Sequence, residues 1–231
     1  YAAETNLETE TGAFTKPSDI HEDTDLLSEL DVIGKKLNEK EMKTGVILAR
    51  LQPIHNGHLE LIEQACDECD RVFVFIGSAD KFNKRNPLPI NLRMQLAEEA
   101  IEMLKKKYSE DCPEVKIVPL DDLTDESDNS HDWGFYLFTK IVNETKDPYF
   151  TIYYSDGFEI ITTWFPAFVL RNNVSLKLLE RSATCSGISA TRVRELIMDK
   201  EYEVLKKWVP DCVFESRETI RKHIELANMI K

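Results

Sequence analysis

Short apolar runs and helical stretches alternate along this chain from residue 44 onward. The runs at 72–76 and 150–154 are rich in β-branched and aromatic residues, which is typical of strands buried in a parallel sheet. Strands that alternate with helices build βαβ units, and these units build doubly wound sheets. We therefore predict an α/β fold with a Rossmann-like, doubly wound parallel sheet of about five strands. The predicted strands are residues 45–51, 71–77, 115–120, 150–155 and 174–179, and the predicted helices are residues 57–69, 90–107, 132–145, 158–165, 190–199 and 216–229.

Two histidines, His55 and His58, flank an Asn-Gly pair between the first predicted strand and the first predicted helix. Their spacing places both imidazoles on one side of a helix N-terminus, where backbone N–H groups and the helix dipole favour an anion. Imidazoles add donors whose charge responds near neutral pH. This arrangement suits a phosphate chain, although an H-x-G-H sequence by itself also fits a surface turn.

A second anion-binding pattern lies far downstream, at residues 186–197. Ser189 is a natural N-cap for the helix predicted at 190–199, and Gly187 supplies backbone freedom just before it. Thr191, Arg192 and Arg194 gather hydroxyl and guanidinium donors in the first turn, and guanidinium groups match phosphate oxygens. Two arginines at a helix N-terminus oppose the helix dipole. A bound polyphosphate would remove that conflict.

The two patterns together resemble the H-x-G-H and I-S-x-T-x-x-R signatures of the nucleotidyltransferase superfamily, and most of all its archaeal-type nicotinamide mononucleotide adenylyltransferases. Further matches follow in the family's order at residues 52–53, 76–79, 86–87 and 93–96. The resemblance covers roughly residues 43–210. The chain departs from a family G-R-F-Q-P sequence at residues 49–53, where Ala49 replaces the glycine and Leu51 the phenylalanine.

The resemblance implies an adenylyltransferase that joins ATP and nicotinamide mononucleotide to give NAD and pyrophosphate, with Mg²⁺ bound mainly through the substrate phosphates and no assigned protein ligand. It implies catalytic roles for His55, His58 and Arg194. The ATP-binding residues that it implies are Arg50, Gln52, Gly57, Gly187, Ile188, Ser189 and Thr191. The mononucleotide-binding residues that it implies are Ser78, Lys84, Arg85, Asn86, Arg93 and Trp133.

Several alternatives stay open at this stage. The same signatures serve adenylyl- or cytidylyltransferases that act on another phosphorylated acceptor, and a non-catalytic nucleotide-sensing module would keep the same pocket. Trp133 either stacks on the cationic nicotinamide ring or belongs to the core. Lys84 either binds phosphate or lies on an ordinary solvated connector. The acid-rich stretch at 121–130 lacks the spacing of a calcium loop, and we predict a surface loop there.

The net charge of −13 is concentrated near the N-terminus, since residues 1–31 hold nine acidic residues against one lysine. We predict an acidic N-terminal extension at 1–42, partly disordered with a short helix, a nucleotidyltransferase domain at 43–210 and a C-terminal helical segment at 211–231. So acidic a chain is a poor partner for nucleic acid. The expected partners are ATP and a phosphorylated small molecule, with no membrane partner, and a homo-oligomer is left open.

The five cysteines include Cys66 and Cys69 in a C-x-x-C sequence, without a second pair at zinc-finger spacing. We interpret them as plain thiols in a helix, with a metal or redox role as the alternative. The sequence has no apolar run as long as about 18 residues and no signal-peptide pattern. A reducing cytoplasm is therefore the predicted location.

Overall fold

Five β-strands form one parallel sheet in the computed structural model. The structure describes residues 42–106, 113–124, 130–155, 158–180, 182 and 185–230. The strands are β1 (Thr44–Ala49), β2 (Arg71–Ile76), β3 (Glu114–Pro119), β4 (Phe150–Tyr154) and β5 (Val174–Leu178). The helices are α1 (Asn56–Glu68), α2 (Ile90–Lys105), α3 (His131–Thr145), α4 (Phe158–Trp164), α5 (Ala167–Asn172), α6 (Ala190–Met198), α7 (Tyr202–Trp208), α8 (Asp211–Glu215) and α9 (Arg217–Met229).

The strand order is β3-β2-β1-β4-β5, and every neighbouring pair is parallel. The chain thus builds outward from β1 through β2 to β3, and then returns to build β4 and β5 on the other side of β1. Such a reversal leaves a crevice beyond the carboxyl ends of the two central strands, where doubly wound sheets bind ligands. The predicted fold class is therefore confirmed, and its topology identifies the edge at which a ligand site belongs.

The side chains of β2 alternate between two cores, one on each face of the sheet. Val72, Val74 and Ile76 join the core beneath α1, α2 and α6, whereas Phe73 and Phe75 join the core beneath α3. All five are buried. A strand that is covered on both faces requires a nearly continuous apolar sequence, and this requirement explains the run at 72–76.

Three helices, α5, α7 and α8, were missing from the sequence-based prediction. They are only five to seven residues long, so the apolar period of 3.6 residues has no room to repeat. Helices α7 to α9 contribute Leu205, Val213 and Ile220 to the same core as α1 and α2. The described part of the segment predicted at 211–231 therefore packs against helices α2 and α6, and the domain boundaries stay predictions.

The ends of the other elements lie within two residues of the predicted ones. Strand β1 stops at Ala49 because the chain then turns through Leu51, whose φ of 47° is incompatible with a strand. The predicted acidic extension, except for Met42, lies outside the described residues, as does part of the predicted surface loop at 121–130. Within the described ranges, no helix is both long and apolar enough to cross a membrane.

Candidate functional site

The H-x-G-H sequence forms the N-terminus of α1, directly beyond the carboxyl end of β1. His55 is the N-cap residue, with extended backbone angles, and it is buried, whereas His58 is partly exposed. Gly57 is buried in the first turn. The two imidazoles stack with their centroids 3.7 Å apart and their planes inclined by 26°. The structure therefore places both predicted histidines at the edge formed by the carboxyl ends of the strands.

The orientation of His58 is set by its own helix terminus. Its Nδ1 atom accepts a hydrogen bond of 3.3 Å from the backbone N–H of His55. A neutral imidazole that accepts at Nδ1 carries its proton at Nε2, which makes Nε2 a hydrogen-bond donor. This arrangement fixes the tautomer that a phosphate oxygen would require.

The second motif forms the N-terminus of α6 as its sequence predicts. The Ser189 hydroxyl caps the helix by accepting from the Arg192 backbone N–H at 3.1 Å. Gly187 has a φ of 79°, a left-handed conformation that favours glycine. The buried Ile188 anchors this turn in the core, while Thr191 lies exposed on the first turn of the helix.

Arg194 joins the two motifs. Its Nη1 atom donates to the backbone carbonyl oxygen of Gln52 at 2.8 Å, and its Nη2 atom donates to the Thr191 hydroxyl at 3.2 Å. Burial and the nearby charge of Arg50 lower the pKa of Arg194. A partly buried guanidinium beside a second arginine gains energy when an anion neutralises the local charge. The contact thus builds a cationic site between two distant segments.

Gln52 lies inside this loop and is almost fully buried. Its amide makes two hydrogen bonds to the backbone of Leu88, donating from Nε2 at 3.3 Å and accepting at Oε1 at 2.9 Å. Both polar groups of the side chain are therefore engaged within the protein. Gln52 links the loop after β1 to the loop after β2, and its predicted contact with ATP stays a prediction.

The loop after β2 carries four of the residues predicted to bind the mononucleotide. Ser78 is buried, with a φ of 51°, and its hydroxyl donates to Asp122 Oδ1 at 3.1 Å. Lys84 and Arg85 are exposed. Asn86 is fully buried, and within the described residues neither its Oδ1 nor its Nδ2 atom has a hydrogen-bond partner. An unsatisfied buried amide is a rare and costly feature, and it marks a place where a ligand could pair.

Arg93 and Trp133, which are predicted to bind the mononucleotide, are both buried. Arg93 is fully buried, and its guanidinium donates to three backbone carbonyls rather than toward open space. Trp133 is 8% exposed and packs in the core beneath α3, with an edge-to-face contact to Trp164 and a tilted contact to Tyr136. Burial favours a structural role for both residues, so their direct contact with a mononucleotide stays a prediction without geometric support.

Asp122 contacts the predicted mononucleotide-binding loop, and the sequence reasoning did not single it out. It lies three residues after the end of β3, and its backbone N–H donates to Asp80 Oδ1 at 3.0 Å while its carboxylate accepts from Ser78. The available signal was its position beyond the carboxyl end of a predicted strand. Its acid-rich neighbours concealed that signal, because they indicated only a solvated loop.

The C-x-x-C pair belongs to the far part of α1. Cys66 is buried, and burial raises the pKa of the Cys69 thiol, whose sulfur lies 3.3 Å from the Tyr153 hydroxyl oxygen. Within the described ranges, no three His, Cys, Asp or Glu side chains are grouped closely enough to hold a metal ion. A thiol with a raised pKa is poorly reactive, which favours the interpretation of plain thiols.

The fold resembles that of a crystal structure from Francisella tularensis, a bifunctional NMN adenylyltransferase/ADP ribose pyrophosphatase complexed with AMP and a manganese ion. The TM-score is 0.60 at 18% identity, over 81% of this chain and 52% of that one. At so low an identity the likeness concerns the fold alone.

Two proteins named nicotinamide-nucleotide adenylyltransferase are similar in sequence. The one from Halorubrum lacusprofundi is 30% identical over 114 residues, which are 49% of this chain and 55% of the relative. The one from Halobacterium salinarum is 39% identical over 83 residues, which are 36% of this chain and 43% of the relative. The chain thus spans about half the length of the relatives that it matches.

The family comparison agrees with the resemblance inferred from the motifs. The model of the cytidylyltransferase-like family matches residues 49–196, which is well over half of the chain. The matched stretch includes His55 and His58 at one end and Arg194 at the other. This chain therefore belongs to the cytidylyltransferase-like family, within the nucleotidyltransferase superfamily.

Proposed function

We propose that this chain transfers the adenylyl group of ATP to nicotinamide mononucleotide, giving NAD and pyrophosphate. The observation that carries the proposal is the bond from Arg194 to the Gln52 carbonyl, which brings the two phosphate-binding motifs to one sheet edge. The names of the relatives from Halorubrum and Halobacterium support the same reaction. The proposed partners are accordingly ATP and a phosphorylated mononucleotide. The cytoplasmic location stays a prediction.

The reaction requires alignment and charge neutralisation rather than a covalent nucleophile. A phosphate oxygen of the mononucleotide attacks the α-phosphorus of ATP and forms a new P–O bond. The bond from that phosphorus to the oxygen that bridges to the β-phosphorus breaks, and pyrophosphate leaves. Negative charge grows on the bridging and leaving oxygens, so fixed donors at these positions lower the barrier.

We assign the histidines to the α-phosphate of ATP and Arg194 to its β- and γ-phosphates. His58, with its proton held at Nε2, supplies a donor for the α-phosphate, and the stacked His55 lies directly beside it. The guanidinium of Arg194, at the first turns of α6, would bind the β- and γ-phosphates that leave. The charge of Arg50 adds to the same field, since it acts on Arg194.

Mg²⁺ fits this site as a cofactor held by the substrates. Mg²⁺ prefers oxygen ligands and retains several waters, whereas the described donors at the motifs are mainly imidazole and guanidinium groups. We infer that the phosphate oxygens and water would hold the ion. When bound, it would neutralise charge on the phosphates.

The amide of Asn86 supports nicotinamide mononucleotide as the acceptor. Its oxygen and nitrogen lack partners within the described residues, and each unsatisfied buried group costs about 1–3 kcal/mol. A carboxamide offers a complementary donor and acceptor, so a shift of the loop that exposes Asn86 to such a ligand would relieve the cost. A polyol phosphate has hydroxyl groups but no planar amide to match.

A pyrophosphate-release screen tests the proposal. The full chain is assayed with ATP or CTP against nicotinamide mononucleotide, nicotinate mononucleotide, a polyol phosphate and a pantetheine phosphate, and products are identified by mass. We expect release with ATP and nicotinamide mononucleotide, together with NAD. Turnover only with CTP and a polyol phosphate would refute the acceptor but keep the family chemistry. Nucleotide binding without any release would indicate a sensing module.

Asn86→Asp provides a matched variant for the acceptor. The substitution keeps the shape but replaces the amide donor, so we expect it to raise the KM for nicotinamide mononucleotide by about 10-fold or more. The KM for ATP should stay nearly constant. Equal changes in both KM values would show that Asn86 does not recognise the acceptor.

A further inference from the structure

The Arg93 guanidinium donates three hydrogen bonds to backbone carbonyls at this edge of the sheet, while its buried Nε atom has no hydrogen-bond partner among the described residues. Arg93 lies in the first turn of α2 and is fully buried. Its Nη1 atom donates to the carbonyl oxygens of Arg50 at 2.9 Å and of Gly77 at 2.8 Å, and its Nη2 atom donates to that of Ser78 at 2.9 Å. One guanidinium thus binds the chain just beyond both β1 and β2.

These three carbonyls lie where the hydrogen-bond ladder of the sheet ends. Strands β1 and β2 pair as far as Ala49 and Ile76, and Gly77 still donates to the carbonyl of Ala49. Beyond that point the carbonyl dipoles would present partial negative charge to a bound phosphate. The guanidinium of Arg93 donates hydrogen bonds to all three carbonyls, because its planar group reaches several acceptors at fixed angles.

The carboxylates of Asp122 and Asp80 act on Arg93 from a distance, and their charge tends to raise its pKa. No ion pair within 4.0 Å joins it to a carboxylate in the described ranges. Burial, followed by the charge of Arg50, lowers the pKa of Arg93 to about 10, so it stays cationic at neutral pH. Its positive charge therefore contributes to the electrostatic field at this edge of the sheet, together with the opposite charges of Asp122 and Asp80.

The backbone that Arg93 holds includes an unfavourable conformation. Ser78 has a φ of 51°, which a residue with a Cβ atom rarely adopts. Arg93 holds its carbonyl from one side, while Asp122 accepts from its hydroxyl on the other. Such a conformation persists only when contacts with the surrounding structure hold it in place, and it occurs often at functional sites.

We propose that Arg93 is a positioning residue for nucleotidyl transfer, which fixes the Arg50 and Ser78 backbones at the strand ends without touching either substrate. The inference rests on the proposed function for its kinetic readout. It differs from direct mononucleotide binding, since a residue that aligns both substrates controls kcat rather than the affinity for one of them.

The kinetic test compares Arg93→Lys with Ile101→Ala in the full chain. Lysine keeps the charge but cannot bond both strand ends with a planar fork, whereas Ile101 is a buried residue farther along α2. With both assayed well below their melting temperatures, we expect Arg93→Lys to lower kcat by about 10- to 100-fold and to change each KM by less than about 3-fold. Ile101→Ala should keep kcat within about 3-fold.

Two kinetic results would overturn the proposal. A selective rise in the KM for the mononucleotide would show that Arg93 contacts that substrate. A comparable loss of kcat in Ile101→Ala, at an equal drop in melting temperature, would show that the effect is one of stability only.

An NMR measurement on the wild type avoids any folding defect and needs no turnover. The Nη–H protons of Arg93 should exchange slowly in the free protein and keep their shifts when ATP is added, because the carbonyl bonds persist. Fast exchange, or a large shift on ATP addition, would refute the proposal. Absence of NAD formation with these protons still protected would refute the proposed function alone.

Discussion

Arg194 donates from Nη1 to the backbone carbonyl oxygen of Gln52 at 2.8 Å, across a separation of 142 residues. The bond docks the N-terminal turns of α6 against the loop that precedes α1. Its acceptor is a backbone atom, so it positions the guanidinium whatever side chain stands at position 52. The protein's own backbone therefore helps to hold the guanidinium in place, which is what catalysis by preorganised charge requires.

Replacing Arg194 by methionine is expected to lower kcat by about 100-fold or more, because deletion of one preorganised donor costs about 3–4 kcal/mol of transition-state stabilisation. Arg192→Met is the matched control on the same helix. Arg192 pairs with Glu195 and Glu201 at the surface, and we expect nearly unchanged kinetics. Steady-state rates and melting curves check both variants. Equal losses in the two would contradict a specific role for Arg194.

Substitutions of His58 can separate its role at the N-terminus of α1 from its proposed role in catalysis. His58→Asn keeps an acceptor near the position of Nδ1, which bonds the His55 backbone N–H, but it lacks the donor at Nε2. We expect a melting temperature close to that of the wild type with a kcat about 100-fold lower. His58→Gln reaches toward the Nε2 position and should retain more activity. If the asparagine variant kept full kcat, the donor at Nε2 would have no catalytic role.

Trp133→Ala is expected to destabilise the protein by about 3–5 kcal/mol, the usual cost of truncating a buried tryptophan. The indole is 8% exposed and contacts Trp164 edge to face. Trp133→Phe should recover part of the loss. Denaturant unfolding and the two KM values are measured on the same variants. Normal stability with a selectively raised KM for the mononucleotide would instead favour stacking on the nicotinamide ring.

Stability should fall in acid partly through Glu68. The hydrogen bond from Lys177 lowers the pKa of the Glu68 carboxyl below 4.5, and Tyr153 donates to the same carboxylate at 2.8 Å. A lowered folded-state pKa means that the stabilisation is present above 4.5 and is lost as the pH falls through the folded value.

We expect the urea midpoint of Glu68→Gln to change less than that of the wild type between about pH 7 and about pH 3.5. Glu225→Gln, on an exposed face of α9 where Glu225 pairs with Arg221, should follow the wild type. Parallel curves for all three proteins would show that the Glu68 network contributes nothing to acid sensitivity.

Local patterns in the sequence were enough to predict the fold class and both helix N-termini. The alternation of strands and helices, the Ser189 cap and the left-handed Gly187 depend on residues that are neighbours in the chain. Periodicity and capping act over one or two turns, so they can be recognised in the sequence without knowledge of tertiary contacts. The short helices α5, α7 and α8 lack that repeat and were missed.

Only the tertiary structure showed where the side chains of Gln52, Arg93 and Trp133 lie. Each carries a group that suits a ligand, and each is instead buried, with its side chain engaged by parts of the protein distant in sequence. A side chain's chemistry determines what it is able to bind, but the packing of strands and helices determines which protein groups it contacts. The sequence alone therefore determined that the two family motifs were present, and the fold determined which of the predicted site residues are buried and which are exposed, because burial depends on contacts that no local pattern encodes.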